Sequence, residues 1–208
     1  MPKGVFVTGI GTGVGKTMVA ALLCKSFEAD YWKPIQCGSL DNPDSTWVNK
    51  MVGAKVHPEK FKLQKAASPH VAAREEDVDI DLTAFSLPVY TQSLVIEGAG
   101  GFLVPLNYKG ETMRDLMRLL DFPVVLVASY YLGSINHTLL TIESLRVAGI
   151  PLAAVIMNGK RMEGTREVIA NVCRTSIMLD IPSLEDGNRK TIDSICEKIS
   201  ESDLKKYF

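Results

Sequence analysis

The sequence predicts an α/β fold: one domain over residues 1–208, with a mostly parallel central sheet and helices on both faces. Three observations predict it. Apolar, β-rich runs alternate with helical stretches, with no internal repeat and no low-complexity linker. The run "FPVVLVAS" at 122–129 is apolar on both faces, as a parallel strand covered by helices is. The stretch "VTGIGTGVGKTMV" at 7–19 joins a strand to a helix through a glycine-rich loop.

In chain order, "GVFVTG" (4–9) reads as a first buried strand, and "KTMVAALLCKSF" (16–27) as a helix apolar on most sides and therefore buried. "YWKPIQ" (31–36) is a second, short strand limited by Pro34. Residues 53–93, with Pro69, Pro88 and many acids, are expected to form short helices and loops. The acidic run "REEDVDID" (74–81) is expected to be a solvated face. "SLVIEGAGG" (93–101) is a third strand ended by glycines, and 122–129 the fourth. "SINHTLLTIESLRVAG" (134–149) keeps helical spacing at Ile135, Leu139 and Ile142, with Ser134 able to cap its start and Gly149 with Pro151 marking its end. "PLAAVIMNG" (151–159) is a strand, "EGTREVIANVCR" (163–174) an amphipathic helix, "SIMLDIP" (176–182) a short strand and "TIDSICEKISESDLKKY" (191–207) a closing helix.

Composition limits the function. Hydrophobic residues make up 46% and charged residues 23% of the 208, ordinary for a globular domain. A net charge of −1 offers no basic field for nucleic acid or anionic membrane. No apolar run reaches the roughly 18 residues of a membrane span, and the N-terminus has no signal-peptide pattern. The expectation is a cytoplasmic protein. Cys24, Cys37, Cys173 and Cys196 contain no CxxC pair, and His57, His70 and His137 lie far apart, so neither a zinc site nor a redox motif is indicated.

The chemistry is concentrated around the loop. Gly9, Gly11, Gly13 and Gly15 allow backbone N–H groups to turn around phosphate oxygens, and the helix beginning near Lys16 adds its positive end. Lys16 can reach terminal phosphates, and Thr17 can ligate Mg²⁺. A glycine-rich turn without ligand is the bland alternative. A dinucleotide fingerprint fits less well, because no G-x-G-x-x-G is completed. Glu97, closing the apolar run "LVIE", stands where a Mg²⁺ ligand belongs, or is a strand-end surface acid. Asp44 in "LDNPDST" is either a further ligand or a helix cap. Lys33, inside an apolar strand, either meets an anion or reaches solvent from a sheet edge. Two lysines at one site would bring two anions together.

The first glycine of the loop, Gly9, stands five residues before Gly15-Lys16-Thr17, one more than in the usual phosphate loop. With "YWKPIQCGS", "SPH" (68–70), "VIEGAGG", "LGSINHTLLT", "VIMNG" and "DIPSL" in order over nearly the whole chain, the sequence resembles the dethiobiotin synthetases, P-loop NTPase-like enzymes. The resemblance implies an ATP- and Mg²⁺-dependent reaction. An amine of 7,8-diaminononanoate captures CO₂ as a carbamate, the γ-phosphate moves to the carbamate, and the second amine closes the ureido ring, releasing ADP and phosphate.

By the resemblance, Lys33 and Lys16 are the catalytic residues, and Thr17, Asp44 and Glu97 the metal ligands. The nucleotide would be held by Gly13, Val14, Gly15, Lys16, Thr17 and Met18, and by Asp44, Glu97, Gly98, Ala99 and Gly100. Asn158 and Gly159 would read adenine, with Pro182, Ser183 and Leu184 lining the base pocket. Substrate contacts would come from Thr12, Cys37 and the turn Gly133, Ser134, Ile135 and Asn136. Family members are homodimers with substrate sites near the interface.

The chain departs from the family pattern in three places. Gly11 and Gly13 replace acids found in some members, Cys37 stands where Ser or Thr is common, and the segment from "SPH" to "VIEG" is short, so the usual long helix there is expected to be truncated. Positive charge near Cys37 is expected to favour its thiolate and so speed alkylation. Two other readings stand beside the synthetase. A cobyrinate-type amide synthase would need an amidotransferase domain for which 208 residues leave no room. A ParA-like ATPase switch would need a second lysine where Gly11 stands.

Overall fold

The computed structural model describes residues 3–173, 178–182 and 189–208. Its core is a seven-stranded sheet built from β1 (Gly4–Gly9), β2 (Asp30–Trp32), β4 (Val56–His57), β6 (Leu94–Gly101), β7 (Val124–Ser129), β8 (Leu152–Asn158) and β9 (Met178–Ile181), in the order β4-β2-β6-β1-β7-β8-β9. Every pairing in it is parallel. The central strands are apolar on both faces because helices cover both. On one face pack α1 (Lys16–Phe27), α2 (Asp44–Val52) and α7 (Arg189–Glu201), around Val5, Val7, Leu22, Leu23 and Tyr31. On the other lie α3 (Pro69–Glu75), α4 (Met113–Leu120), α5 (Ser134–Val147) and α6 (Thr165–Cys173), around Phe6, Ile96, Leu116, Leu126 and Ile142.

The order of the strands positions the site. The chain first builds outward on one side of β1, through β2 and β4, returns to insert β6 between β1 and β2, and then builds outward on the other side through β7, β8 and β9. The reversal leaves a crevice at the carboxyl end of β1, where open α/β sheets bind ligands. The end of β1, the end of β6 and the exit from β2 all open there.

The expected second strand, 31–36, is two strands. β2 ends at Trp32, and Ile35–Cys37 forms β3, which pairs with β5 (Phe61–Leu63) in a separate two-stranded sheet. Pro34 cannot donate to a ladder and holds Lys33 extended, so the chain leaves the main sheet there. The segment 53–93 holds the expected short helices, α3 of 7 residues and one 3₁₀ turn at Leu82–Ala84. It also holds β4 and β5, which are too short for alternation to show in sequence. Residues 74–81 are mostly exposed or half-buried, as a solvated acidic face would be.

α4 was not anticipated, although a signal was present. Thr112 and Asp115 form a reciprocal capping box, ahead of the amphipathic "MRDLMRLL". The expected closing helix 191–207 breaks after Glu201. The Ser202 hydroxyl accepts from Leu204 N–H at 3.3 Å and starts a 3₁₀ turn at Asp203–Tyr207. That turn buries Leu204 and stacks Phe208 on Phe27, ring centroids 4.1 Å apart.

Candidate active site

The site grows from the loop between β1 and α1. Gly15 (φ 95°) is the left-handed residue just before α1, and Gly13 (φ 75°) is a second left-handed position. A Cβ on Gly15 would come 2.1 Å from Asn158 Nδ2, so only glycine fits beneath that side chain. Asn158, at the end of β8, donates from Nδ2 to the Val14 carbonyl at 3.0 Å and fastens the loop to the sheet. Lys16 donates back to the Gly11 carbonyl at 2.9 Å. Its charge therefore lies over the loop. Burial lowers the Lys16 pKa, with Glu97 opposing and Lys33 adding to the fall. A Cβ at Gly11 would meet nothing within 4 Å, so the position has open space for a side chain.

Beside the loop stands a buried charge cluster. Register places Trp32 against Ile96, which brings the next residue of each strand, Lys33 and Glu97, side by side. Lys33 Nζ donates to Glu97 Oε1 at 2.9 Å and also to Asp44, the first residue of α2. Thr17 Oγ1 donates to the same Glu97 Oε1 at 2.9 Å, and the Tyr31 hydroxyl to Oε2 at 2.7 Å. The side chains of Lys33 and Glu97 are 7% and 1% exposed, that of Asp44 31%. Burial alone would lower the Lys33 pKa; Glu97 and then Asp44 outweigh it and hold the ammonium above its ordinary range. Burial, then the Glu97 charge, pushes the Tyr31 phenol well up, so it is a permanent donor.

These groups open into a cavity of about 640 Å³. Thr12, Gly13, Gly15, Lys16 and Thr17 line it from the loop, and Lys33, Cys37 and Asp44 from the second side. Glu97, Ala99 and Gly100 close it. Gln36, Ser39, Val104 and the turn at Ala66–Pro69 also line it and escaped the sequence reading. Gln36 was legible only as a strand residue; in the structure its Oε1 accepts from Asp44 N–H at 3.4 Å and tethers the start of α2.

The other anticipated residues fall elsewhere. Gly98 faces away from the cavity, where a Cβ would press on Phe6 at 2.8 Å. Val14 is buried, and Met18 packs against the core of the α1 face. Gly159 donates its N–H to Ile181 O at 2.9 Å, next to the exposed Pro182. Ser183 and Leu184 lie outside the described residues. The turn Gly133–Asn136 opens α5 but does not line this chain's cavity. The expected cap at Ser134 is corrected: Gly133 holds the cap position, and the Ser134 Oγ is buried with no hydrogen-bond partner among the described residues.

Cys37 lines the cavity, but the expectation of a favoured thiolate is corrected. Burial pushes its thiol up to about 11, and Lys33 only partly counters this. The ammonium is already committed to two carboxylates, so little of its field is left for the sulfur.

A family profile described as AAA domain matches residues 3–191. The ATP-dependent dethiobiotin synthetase BioD of Paramagnetospirillum magneticum is 44% identical over 191 residues, covering 91% of this chain and 93% of its own. The synonymous enzyme of Cytophaga hutchinsonii is 39% identical over 204 residues, with 96% and 98% coverage. The chain belongs to the dethiobiotin synthetase family. Among solved structures, a plasmid partition protein of Borrelia burgdorferi covers 99% of both chains at 15% identity with TM-score 0.58. A ParA family ATPase of Chlorobium tepidum covers 99% of this chain and 96% of its own at 15% identity and TM-score 0.56. At that identity these two share only the fold, so the ParA-like switch gains nothing from them. The chain thus shares its fold with these two proteins, and its chemistry must be sought in the cluster around Lys33.

Proposed function

We propose that the chain is an ATP-dependent ligase that forms C–N bonds, converting 7,8-diaminononanoate, CO₂ and ATP into dethiobiotin, ADP and phosphate. The observation that carries this reading is the Lys33 ammonium, buried between two carboxylates in the same cavity as the phosphate loop. A carbamate and a triphosphate repel each other. Bringing them in line needs fixed positive charge beyond that of Lys16, and Lys33, on the wall of the same cavity, would supply it. Its rigid pairing means little reorganisation as charge shifts from phosphate to carbamate. Positioning dominates such a transfer, which suits a cavity with no histidine on its wall.

Lys16 would leave the Gly11 carbonyl for the phosphates. The loop N–H groups and the start of α1 would hold the non-transferred oxygens. Asn158 and Gly159 would read the base, beside Pro182. Thr12 and Cys37 would face the diamine.

The residues present fit Mg²⁺. Thr17, Asp44 and Glu97 offer hard oxygen donors that converge on one spot, and that spot already carries a cation, the Lys33 ammonium. Among the described residues no three His, Cys, Asp or Glu side chains gather into a metal site. Mg²⁺ bound by one or two carboxylates and phosphate needs no such cluster. When bound, Mg²⁺ would neutralise phosphate charge. Lys33 would then keep Glu97 and Asp44 apart and ionised.

The chain is further read as one domain acting as a homodimer in the cytoplasm. The turn Gly133–Asn136 of a partner subunit would bind the substrate carboxylate. Three observations support this. The turn does not line its own chain's cavity, the adjacent Leu132 is 95% exposed, and the four cysteines are free thiols. Among the described residues no helix is long and apolar enough to cross a membrane.

The decisive experiment is a coupled ADP-release assay. Release is expected only with both diaminononanoate and bicarbonate, with dethiobiotin formed in equal amount. ADP release that ignores the diamine would instead indicate an ATPase switch.

A further inference from the structure

Tyr31 has no part in the reaction described so far, yet its hydroxyl reaches the centre of the cluster. The residue is fully buried in the core between the sheet and α1. A phenylalanine would fill the same space, and a phenol in such a place needs a partner to offset its desolvation. Its partner is Glu97 Oε2, at 2.7 Å. The other oxygen, Oε1, takes both Thr17 and Lys33 at 2.9 Å. The two carboxylate oxygens are thus divided: one is tied to the core, and the other is turned toward the loop and the cavity. Glu97 sits on a strand two residues beyond the partner of Tyr31 in the ladder, so backbone register brings the phenol to it.

We propose that Tyr31 is the positioning residue for Glu97. Its hydroxyl locks the carboxylate in the rotamer that presents Oε1 to the loop, and so sets the affinity of the site for a divalent cation. The inference rests on the reading of Glu97 as a metal ligand. Tyr31 opens the motif "YWKPIQCGS", but neither the motif nor the resemblance gives its hydroxyl a role.

The test uses the whole chain, Mn²⁺ as a paramagnetic probe and a non-hydrolysable ATP analogue. Mn²⁺ affinity is measured by electron paramagnetic resonance in wild type, Tyr31→Phe, Glu97→Gln and the double variant. Loss of a partner that orients a ligand weakens metal binding roughly 10–100-fold. Tyr31→Phe is expected to raise the Mn²⁺ dissociation constant by about tenfold or more. Affinity for the analogue without metal should stay at the wild-type value. In the Glu97→Gln background the same change should have little effect, because the carboxylate to be oriented is gone. Equal Mn²⁺ affinity in wild type and Tyr31→Phe overturns the proposal, as does an equal loss in both backgrounds, the mark of a merely structural role. If Tyr31→Phe does not fold, recovery of the fold in the double variant supports the bond to the charged carboxylate, and failure of both overturns it. Wild-type chain that binds no Mn²⁺ with the analogue removes the reading of Glu97 as a ligand, and the proposal with it. That outcome is separate from one in which only Tyr31→Phe is inert.

Discussion

Lys33 and Lys16 carry like charge in one cavity but differ in what holds them. Lys33 is paired twice and buried, whereas Lys16 rests on a backbone carbonyl that a phosphate can replace. Lys33→Gln should therefore lower kcat by roughly 10²–10³, while ATP affinity in calorimetry changes by no more than about threefold. Equal losses in both would make Lys33 a simple nucleotide ligand. Lys16→Ala should reduce turnover by about 10² or more with circular dichroism unchanged. A variant with wild-type rate would remove Lys16 from the site. Because the Lys33 pKa is raised, the stability that its charge confers is fully present at low pH. It is lost only as pH rises through the elevated folded value, above 10.5. Any change in rate between about pH 6 and 9 must come from other groups. Cys37, with its thiol at about 11, should label slowly with iodoacetamide at neutral pH, yet faster than the more deeply buried Cys24. ATP with diaminononanoate should protect it. Labelling at the rate of a free thiol, unaffected by ligands, would contradict its place in the cavity.

At the scale of elements, the end of the sheet opposite the site is pinned by Asp30. Its carboxylate accepts from Thr91 Oγ1 at 2.8 Å and lies 2.9 Å from His57 Nε2 and 3.1 Å from Lys55 Nζ. These bonds join the start of β2 to β4 and to the chain entering β6. Burial alone would raise the Asp30 pKa, but the hydrogen bonds from Thr91, Lys55 and His57 together outweigh it and bring the value below 3.8. A depressed carboxylate stabilises the fold above its unfolded pKa and loses that contribution as pH falls through the lower folded value. Asp30→Asn should cost roughly 2 kcal/mol at neutral pH in urea melts, with the gap from wild type closing as pH falls below the ordinary carboxylate range. A constant gap down to acid would show that the carboxylate's charge does not matter. At the other end of the sheet, Gly15→Ala must displace Asn158 from the loop as well as strain a left-handed backbone. It should abolish ATP binding while the chain still folds, which titration calorimetry would reveal.

For the whole molecule the open matter is assembly. The α5 turn does not line its own chain's cavity, and Leu132, Leu140 and Val147 are exposed along α5 and its approach. Sedimentation should show a species of twice the chain mass. Leu132→Glu is expected to shift it toward monomer and to lose dethiobiotin formation, while ATP still raises the melting temperature. ATP at about a hundredfold over its dissociation constant should stabilise either form by roughly 2.7 kcal/mol. A fully active monomer would refute the role of the partner's turn.

The family, the parallel α/β plan and the meeting of Lys16 and Lys33 at one cavity were legible in the residues alone. Each is written in local signals: strand-like apolar runs, the spacing from Gly9 to Thr17, and a lysine before a proline in an apolar stretch. Glu97 was legible for the same reason, as an acid at the end of a buried run. The sequence left Asp44 open between ligand and cap; the cap position is Pro43, and Asp44, the first residue of α2, caps nothing and pairs with Lys33. Only the tertiary structure decided what depends on distance between remote residues. Register across β2 and β6 brought Tyr31 and Lys33 to one carboxylate 66 and 64 residues away. Packing of Pro34 out of the main sheet made β3 and carried Cys37 to the cavity wall. Competition between burial and a nearby ammonium, which residue types alone do not resolve, raised the pKa of the Cys37 thiol. Spacing along a chain records periodicity and loop geometry, whereas the charge state of a buried group is set by neighbours that only folding assembles.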